Sequence, residues 1–172
     1  MEPADVPDSS KLDRLRDLLA GLGGALVNGD LLGWAGAGDL AAVPDEVFGV
    51  VRDAGLLGDG DPLHPVSMPA DADALMSRLW EIDEPAATEL LTSLAGSASR
   101  NVPRRGRLRR RYADDPADIF AELAGLIGPG SQWWTNTDLT RWNPITQHTF
   151  DAVIVGAGNG IIVTVIAFEG GG

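Results

Sequence analysis

His148 is the side chain best suited to general acid–base chemistry, and the carboxylates Asp138 and Asp151 lie close to it in the sequence. A carboxylate that orients an imidazole is the start of a general base. His148 and Asp151 would point to opposite faces of one strand, so Asp138 across a turn is the expected partner. Because no G-x-S-x-G nucleophile motif occurs, we favour a structural or surface histidine over a catalytic one.

The segment from Trp133 to His148 is the densest cluster of aromatic, amide and hydroxyl groups, and it holds three of the five tryptophans. Tryptophan is enriched at recognition hot spots, and a pocket needs a few directional polar groups. The side chains expected to bind a partner or ligand are Trp133, Trp134, Asn136, Asp138, Arg141, Trp142, Asn143 and Asp151. The alternative is structural, because one of two neighbouring tryptophans in a strand must point inward.

Residues 100–111 hold seven of the thirteen basic residues and no acid. Such a run can bind nucleic-acid phosphates, here through Arg104, Arg105, Arg107, Arg109, Arg110 and Arg111. The rest of the chain is strongly acidic, and its negative field opposes the approach of phosphates. An exposed linker, or a segment docked on the protein's own acids, is therefore the favoured interpretation.

The glycines at residues 156–160 resemble a dinucleotide-binding turn, but the residues that follow them do not fit that motif. That turn must lead into a helix, whereas the β-branched residues 161–168 favour a strand. Asn159-Gly160 instead predicts the turn of a β-hairpin. No cofactor is expected. With two histidines, no cysteine and no H-E-x-x-H spacing, no metal site is expected either.

The net charge of −12 and pI near 4.3 favour solubility or a basic partner over nucleic acid or an anionic membrane. One lysine against twelve arginines indicates a GC-rich, bacterial coding sequence, which is a rival cause of the acidity. The N-terminus lacks the features of a signal peptide, and no apolar window is long enough for a membrane helix, so a cytoplasmic location is expected.

The leading interpretation is a small acidic protein that binds a protein partner, of the immunity or inhibitor type, and works without catalysis. A small enzyme or ligand-binding protein with a tryptophan-lined pocket near His148 is the alternative from another class. In that alternative, His148 and Asp138 form the acid–base pair, and Arg141 binds an anionic substrate. Nucleic-acid binding through the arginine run is the third interpretation.

The pattern of apolar residues predicts an α+β fold with about five helices followed by a small antiparallel sheet that ends in a C-terminal hairpin. We expect a disordered tail at residues 1–9 and one globular domain at residues 10–172, helical over 10–128 and β over 131–169. The predicted helices begin at Ser10, Pro44, Asp71, Asp83 and Asp115, and the third of them ends at Ile82. Residues 25–43 are too rich in glycine and alanine to assign.

The two arms of the predicted hairpin, residues 149–155 and 161–168, are apolar at nearly every position. Ala152 and Ile154 lie on one face with Phe150, while Val153 and Val155 lie on the other. A strand that is apolar on both faces is expected at the centre of a sheet covered on both sides. The helices can cover one face, and a homodimer contact is one way to cover the second.

Overall fold

The structure is a computed structural model, and it describes residues 9–21, 24–26, 29–56, 69–100, 116–128, 130–138, 141–143, 145 and 150–169. The helices are α1 (Ser9–Gly21), α2 (Val43–Asp53), α3 (Ala72–Met76), α4 (Glu84–Arg100) and α5 (Pro116–Ile127), with a short 3-10 helix at Leu40–Ala42. The strands are β1 (Gly24–Leu26), β2 (Gly29–Ala37), β3 (Trp80–Ile82), β4 (Gln132–Thr135), β5 (Phe150–Gly158) and β6 (Ile161–Glu169).

The strands form one six-stranded sheet in the order β1-β2-β6-β5-β4-β3, and all neighbours are antiparallel. The class is α+β, as predicted, but the prediction of a small sheet placed after the helices is wrong. β1 and β2 lie between α1 and α2, and β3 lies between α3 and α4. Strands therefore occur inside the stretch that the sequence predicted to be helical.

The strand β2 was missed because its glycines and alanines have little intrinsic preference for a strand. Tertiary pairing sets its conformation instead: all nine of its residues pair with β6, from Gly29↔Glu169 to Ala37↔Ile161. Glycine also lets α1 pack closely on this strand. A Cβ at Gly33 would lie 2.6 Å from Cδ2 of Leu19.

The predicted third helix, from Asp71 to Ile82, is also partly wrong. The Asp71 carboxylate caps α3 by accepting a hydrogen bond from the Ala74 N–H at 2.8 Å, but the helix ends at Met76. The chain then extends as β3, where Trp80 pairs with Thr135 of β4. Apolar spacing alone could not separate a short helix followed by a short strand from one longer helix.

The C-terminal hairpin is confirmed. Asn159 and Gly160 have φ values of 54° and 73°, the left-handed conformation that a tight two-residue turn between strands requires. β5 and β6 pair along nine residues each and lie at the centre of the sheet. The expected disordered tail is outside the described residues except for Ser9, where α1 begins.

Helices cover both faces of the sheet. On one face α1, α4 and α5 pack on a cluster that includes Ala152 and Ile154. On the other face α2 and α3, together with Ile145, pack on Val153 and Val155. The second face is therefore covered within the same chain, and a homodimer is not required to bury it.

The buried hydroxyl of Thr164 on β6 provides a test of the core. Among the described residues it is the one buried side-chain polar atom without a hydrogen-bond partner. We expect Thr164→Val to raise the free energy of unfolding by about 1 kcal/mol, because it removes an unsatisfied buried group at nearly constant volume. Urea denaturation measures the change.

Thr135→Val is the matched control. The Thr135 hydroxyl is equally buried, but it donates to the Thr137 carbonyl at 3.0 Å and accepts from the Thr137 N–H at 3.2 Å. This variant should lose about 1–3 kcal/mol, because the Thr137 groups are left without that partner. Equal effects of the two substitutions would contradict the assignment of Thr164 as unsatisfied.

A two-point ion pair joins α1 to α5. Arg14 Nε and Nη2 donate to the two carboxylate oxygens of Glu122 at 2.7 and 2.9 Å. The hydrogen bond from Arg14 holds the pKa of the Glu122 carboxyl below its ordinary value of 4.5. A lowered folded-state pKa stabilises the fold above that ordinary value, and the stabilisation is lost as pH falls through the lowered value.

Glu122→Gln should therefore unfold slightly more easily than the wild type near neutral pH, by the small amount typical of a solvent-exposed pair. The difference should disappear in acid, where the wild-type carboxyl is also protonated. Thermal unfolding over a series of pH values measures it. A difference that persists in strong acid would assign the effect to packing rather than to charge.

Candidate functional site

The carboxylate of Asp151 is the centre of a buried polar network at the start of β5. It accepts hydrogen bonds from Asn136 Nδ2 at 2.6 Å, from Trp142 Nε1 at 3.3 Å and from the Ile145 backbone N–H at 3.1 Å. These donors come from the segment that links β4 to β5. Asp151 thus holds this polar loop (residues 136–138, 141–143 and 145) onto the sheet, and its contact with a partner stays a prediction.

Asn136 forms the second anchor of the polar loop and is completely buried. Its Oδ1 accepts from the Val153 N–H at 2.7 Å, and its Nδ2 donates to the Asn143 carbonyl at 3.0 Å. The Asn143 N–H in turn donates to the Asn136 carbonyl at 2.9 Å, and its side chain donates to the Arg78 carbonyl at 3.1 Å. Both asparagines therefore serve as structural ties between backbone segments.

Trp133 and Trp134 point to opposite faces of the sheet, as neighbouring strand residues must. Trp133 is 2% exposed and lies on Gly156, where a Cβ would come within 2.6 Å of its ring. Its Nε1 donates to the Ser131 hydroxyl at 2.9 Å. Trp134 is half-buried and packs against the opposite cluster. Both rings contribute to the core, and a contact between Trp133 and a partner stays a prediction.

Three of the expected site residues remain at the surface, at the tip of the polar loop: Asp138, Arg141 and Trp142. The Asp138 carboxylate accepts from the Arg141 N–H at 2.7 Å, which is ordinary turn chemistry. The Arg141 guanidinium lies 3.9 Å from the centre of the Trp80 ring, a cation–π contact that holds it on the protein. His148 and the arginines from Arg104 to Arg111 lie outside the described residues, so their roles stay predictions.

A second surface, which the sequence analysis missed, is a groove between β2 and α2 with a volume of about 480 Å³. Its floor is formed by Leu32 and Trp34 of β2, and carboxylates of α2 line it on one side. Leu32 is one of three large hydrophobic residues that are exposed in the described chain, at 37%. The residues that line this acidic groove are Leu32, Trp34, Asp45, Glu46, Gly49, Val50, Asp53 and Ala54.

The charge of the acidic groove comes mainly from the first turn of α2. Asp45 and Glu46 follow Pro44, where acids are favoured by the helix dipole. The Glu46 carboxylate lies directly over Gly36, and it would have to move to admit a Cβ at that position. Asp53 differs, because it pairs with Arg52 at 3.1 Å. The groove is therefore acidic at its Glu46 end and closer to neutral at its Asp53 end.

Trp34 was the signal in the sequence that could have located this groove. It is the one large aromatic residue in the stretch of residues 25–43, which is otherwise rich in glycine and alanine. Such a side chain between small residues is well placed to form the floor of a concave surface. The acidic turn that completes the groove was read correctly as a helix start, but its position over β2 depends on the sheet pairing.

The described residues show no group of three or more histidine, cysteine, aspartate or glutamate side chains that could hold a metal ion. In the same part of the chain, no helix has both the length and the apolar content needed to cross a membrane.

Asp151→Asn tests whether the buried carboxylate organises the polar loop. The amide presents an NH2 group to donors that now share two carboxylate oxygens, so we expect a loss of about 1–3 kcal/mol in the free energy of unfolding. The Trp142 indole should also become more mobile, which NMR relaxation of its indole N–H can detect.

Asp138→Asn is the matched control, since an asparagine can keep the turn bond to the Arg141 N–H. It should change stability by less than about 0.5 kcal/mol, as most surface substitutions do. Equal losses in the two variants would show that Asp151 has no special structural role.

The comparisons with known proteins provide no family assignment. No protein-family model matches the sequence, and no curated protein matches it. Among solved structures, a crystal structure of citrus MAF1 is similar with a TM-score of 0.48 and 12% identity, covering 92% of this chain and 97% of that chain. A second crystal form of citrus MAF1 gives a TM-score of 0.46 and 11% identity, covering 93% and 98%. Likeness at this level carries no argument about function.

Proposed function

We propose that this chain is a small acidic protein that binds a basic protein partner. It acts without catalysis, by occupying a surface of that partner, as an inhibitor or immunity protein does. The binding surface is the acidic groove between β2 and α2. The observation that carries the proposal is the combination of an exposed apolar floor, Leu32 and Trp34, with the carboxylates of Asp45 and Glu46 beside it.

The chemistry of the groove supports a basic partner with an apolar or aromatic contact residue. A few buried anchors, most often tryptophan, tyrosine or arginine, provide most of the affinity at protein interfaces, and Trp34 is of this type. The carboxylates beside the floor favour an arginine or lysine on the incoming surface, and this preference sets orientation more than affinity. The net charge of −12 adds a long-range field that speeds the encounter with a basic protein at low salt.

The polar loop is a weaker candidate for the same role. The side chains of Asn136 and Asp151 bond to groups of their own chain, and Arg141 already stacks on Trp80. Trp142 is exposed at 37%, but its indole N–H donates to Asp151. A partner at this surface would meet one aromatic edge rather than a concave site with complementary charge.

Photocrosslinking in the source cells tests the proposal. A benzophenone amino acid at Leu32 should capture a basic protein, while the same group at Trp142, which is equally exposed, should not. Adduct formation at position 32 should fall at least about tenfold in Glu46→Lys, because reversed charge next to the floor repels a basic partner.

Glu81→Lys is the control, because Glu81 lies on β3 at the opposite edge of the same sheet and carries the same charge. It should leave the adduct at position 32 intact. Equal loss in Glu46→Lys and Glu81→Lys would reduce the effect to net charge. An acidic or absent adduct at position 32, or the same adduct at both crosslinking positions, would contradict the proposal.

A further inference from the structure

The strand β2 is much longer than the strand that pairs with its outer edge. β1 pairs with β2 over three residues only, and this pairing reaches along β2 no further than Leu31, opposite Gly24. β2 itself continues along β6 as far as Ala37. From Gly33 to Ala37, no strand in the described part of the chain occupies the outer edge.

The hydrogen-bonding direction of this edge follows from the register. Residues along a strand direct their N–H and C=O groups alternately to the two neighbours. The Gly38 N–H, just after β2, donates to the Gly160 carbonyl at 2.8 Å on the β6 side, so the even-numbered residues of β2 face β6 and Gly33, Ala35 and Ala37 face outward. The Ala35 carbonyl agrees with this assignment, since it accepts a hydrogen bond from outside the sheet, from Arg16 Nε at 3.3 Å.

Natural proteins protect such an edge with lysine, proline, a bulge or a covering element. The segment from Gly33 to Ala37 has small side chains apart from Trp34, contains no lysine or proline, and pairs with β6 without a bulge. Arg16 covers a single carbonyl. The side chains of Leu32 and Trp34, on the α2 face of this same strand, form the floor of the acidic groove.

We propose that an extended segment of the basic partner adds to the sheet as a strand along Gly33–Ala37, with alternate side chains directed toward the acidic groove. This inference rests on the proposed function and gives it a mode of binding. An added strand lies about 4.8 Å from β2, and its side chains on the α2 face then reach Leu32, Trp34 and Glu46. Backbone hydrogen bonds would supply affinity, and the groove would select basic and apolar side chains.

A second copy of this chain is the competing occupant, and charge disfavours it. Pairing two β2 edges would bring the carboxylates of Asp45 and Glu46 on each copy close to those of the other, in a protein that already carries −12. A basic segment would be attracted instead, because each of its lysine or arginine side chains that points toward α2 approaches a carboxylate.

The experiment uses a short capped peptide of alternating lysine and valine as the probe, together with the same sequence N-methylated at every residue. Both peptides carry the same charge and side chains, but the methylated one cannot donate backbone hydrogen bonds. Calorimetry at low salt should show at least about tenfold weaker binding of the methylated peptide. Equal affinities would overturn strand addition, as would no binding of either peptide.

Variants of the protein separate this inference from the proposed function. Arg16→Ala exposes the Ala35 carbonyl and should strengthen binding of the unmethylated peptide more than Lys11→Ala, which removes the same charge elsewhere on α1. Equal gains would overturn the edge assignment. If the two peptides bind with equal affinity, and Glu46→Gln weakens both while Glu81→Gln weakens neither, the proposed function holds for the acidic groove and strand addition is excluded. A dimer in sedimentation that the peptide dissociates would assign the edge to a second copy and overturn the proposal.

Discussion

The constraint on which the rest of the structure depends is the apolar character of β5 and β6 on both faces. Two long strands of this kind cannot have either face in water, so the sheet needs a helical layer on each side. The chain meets this need with α1, α4 and α5 on one face and with α2 and α3 on the other. The position of α2, and with it the acidic groove, is therefore a consequence of the need to bury Val153, Val155 and their neighbours.

The same burial explains the polar network at the start of β5. A loop that crosses the end of a buried sheet brings backbone N–H groups out of water, and each needs an acceptor. Asp151 and Asn136 supply these acceptors from within the fold, for Ile145 and Val153 respectively. These two polar side chains are therefore explained by the hydrogen-bonding needs of buried backbone N–H groups. The exposed tip of the loop offers few further polar groups to a partner.

The hairpin could be predicted from the sequence because its determinants are local. Asn159-Gly160 specifies the turn, and β-branched residues on both sides specify the strands. The strand β2 could not be predicted, because its glycines and alanines carry no local preference and its conformation comes from pairing with β6. The strand β3, which begins at Trp80, could not be predicted either, because three residues are too few to show the alternation of a strand.

The candidate site could be predicted only in part for a related reason. Residue type identified Asp151, Asn136 and Trp133 as notable, and they are, but type alone does not separate a group that binds a partner from one that satisfies the interior. Burial separates them, and burial depends on the register of β4 and β5. The acidic groove could not be predicted, because its floor belongs to β2 and its carboxylates belong to α2. The contact between them depends on the position of β2, a strand that the sequence did not reveal.

The difference in length between β1 and β2 links the fold to the proposed binding mode. At the centre of the sheet, β6 pairs over nine residues with both β2 and β5. Such a sheet tolerates a short edge strand, because helices already cover the two faces of its central strands. The part of β2 beyond β1 packs on the two core clusters through Ala35 and Trp34, and its outer edge leaves N–H and C=O groups beside the acidic groove. Such an edge is a liability for aggregation unless it is protected or used. The net charge of −12 opposes pairing between identical copies and favours a basic strand, so in the proposed binding mode one property would both protect the edge and select the partner.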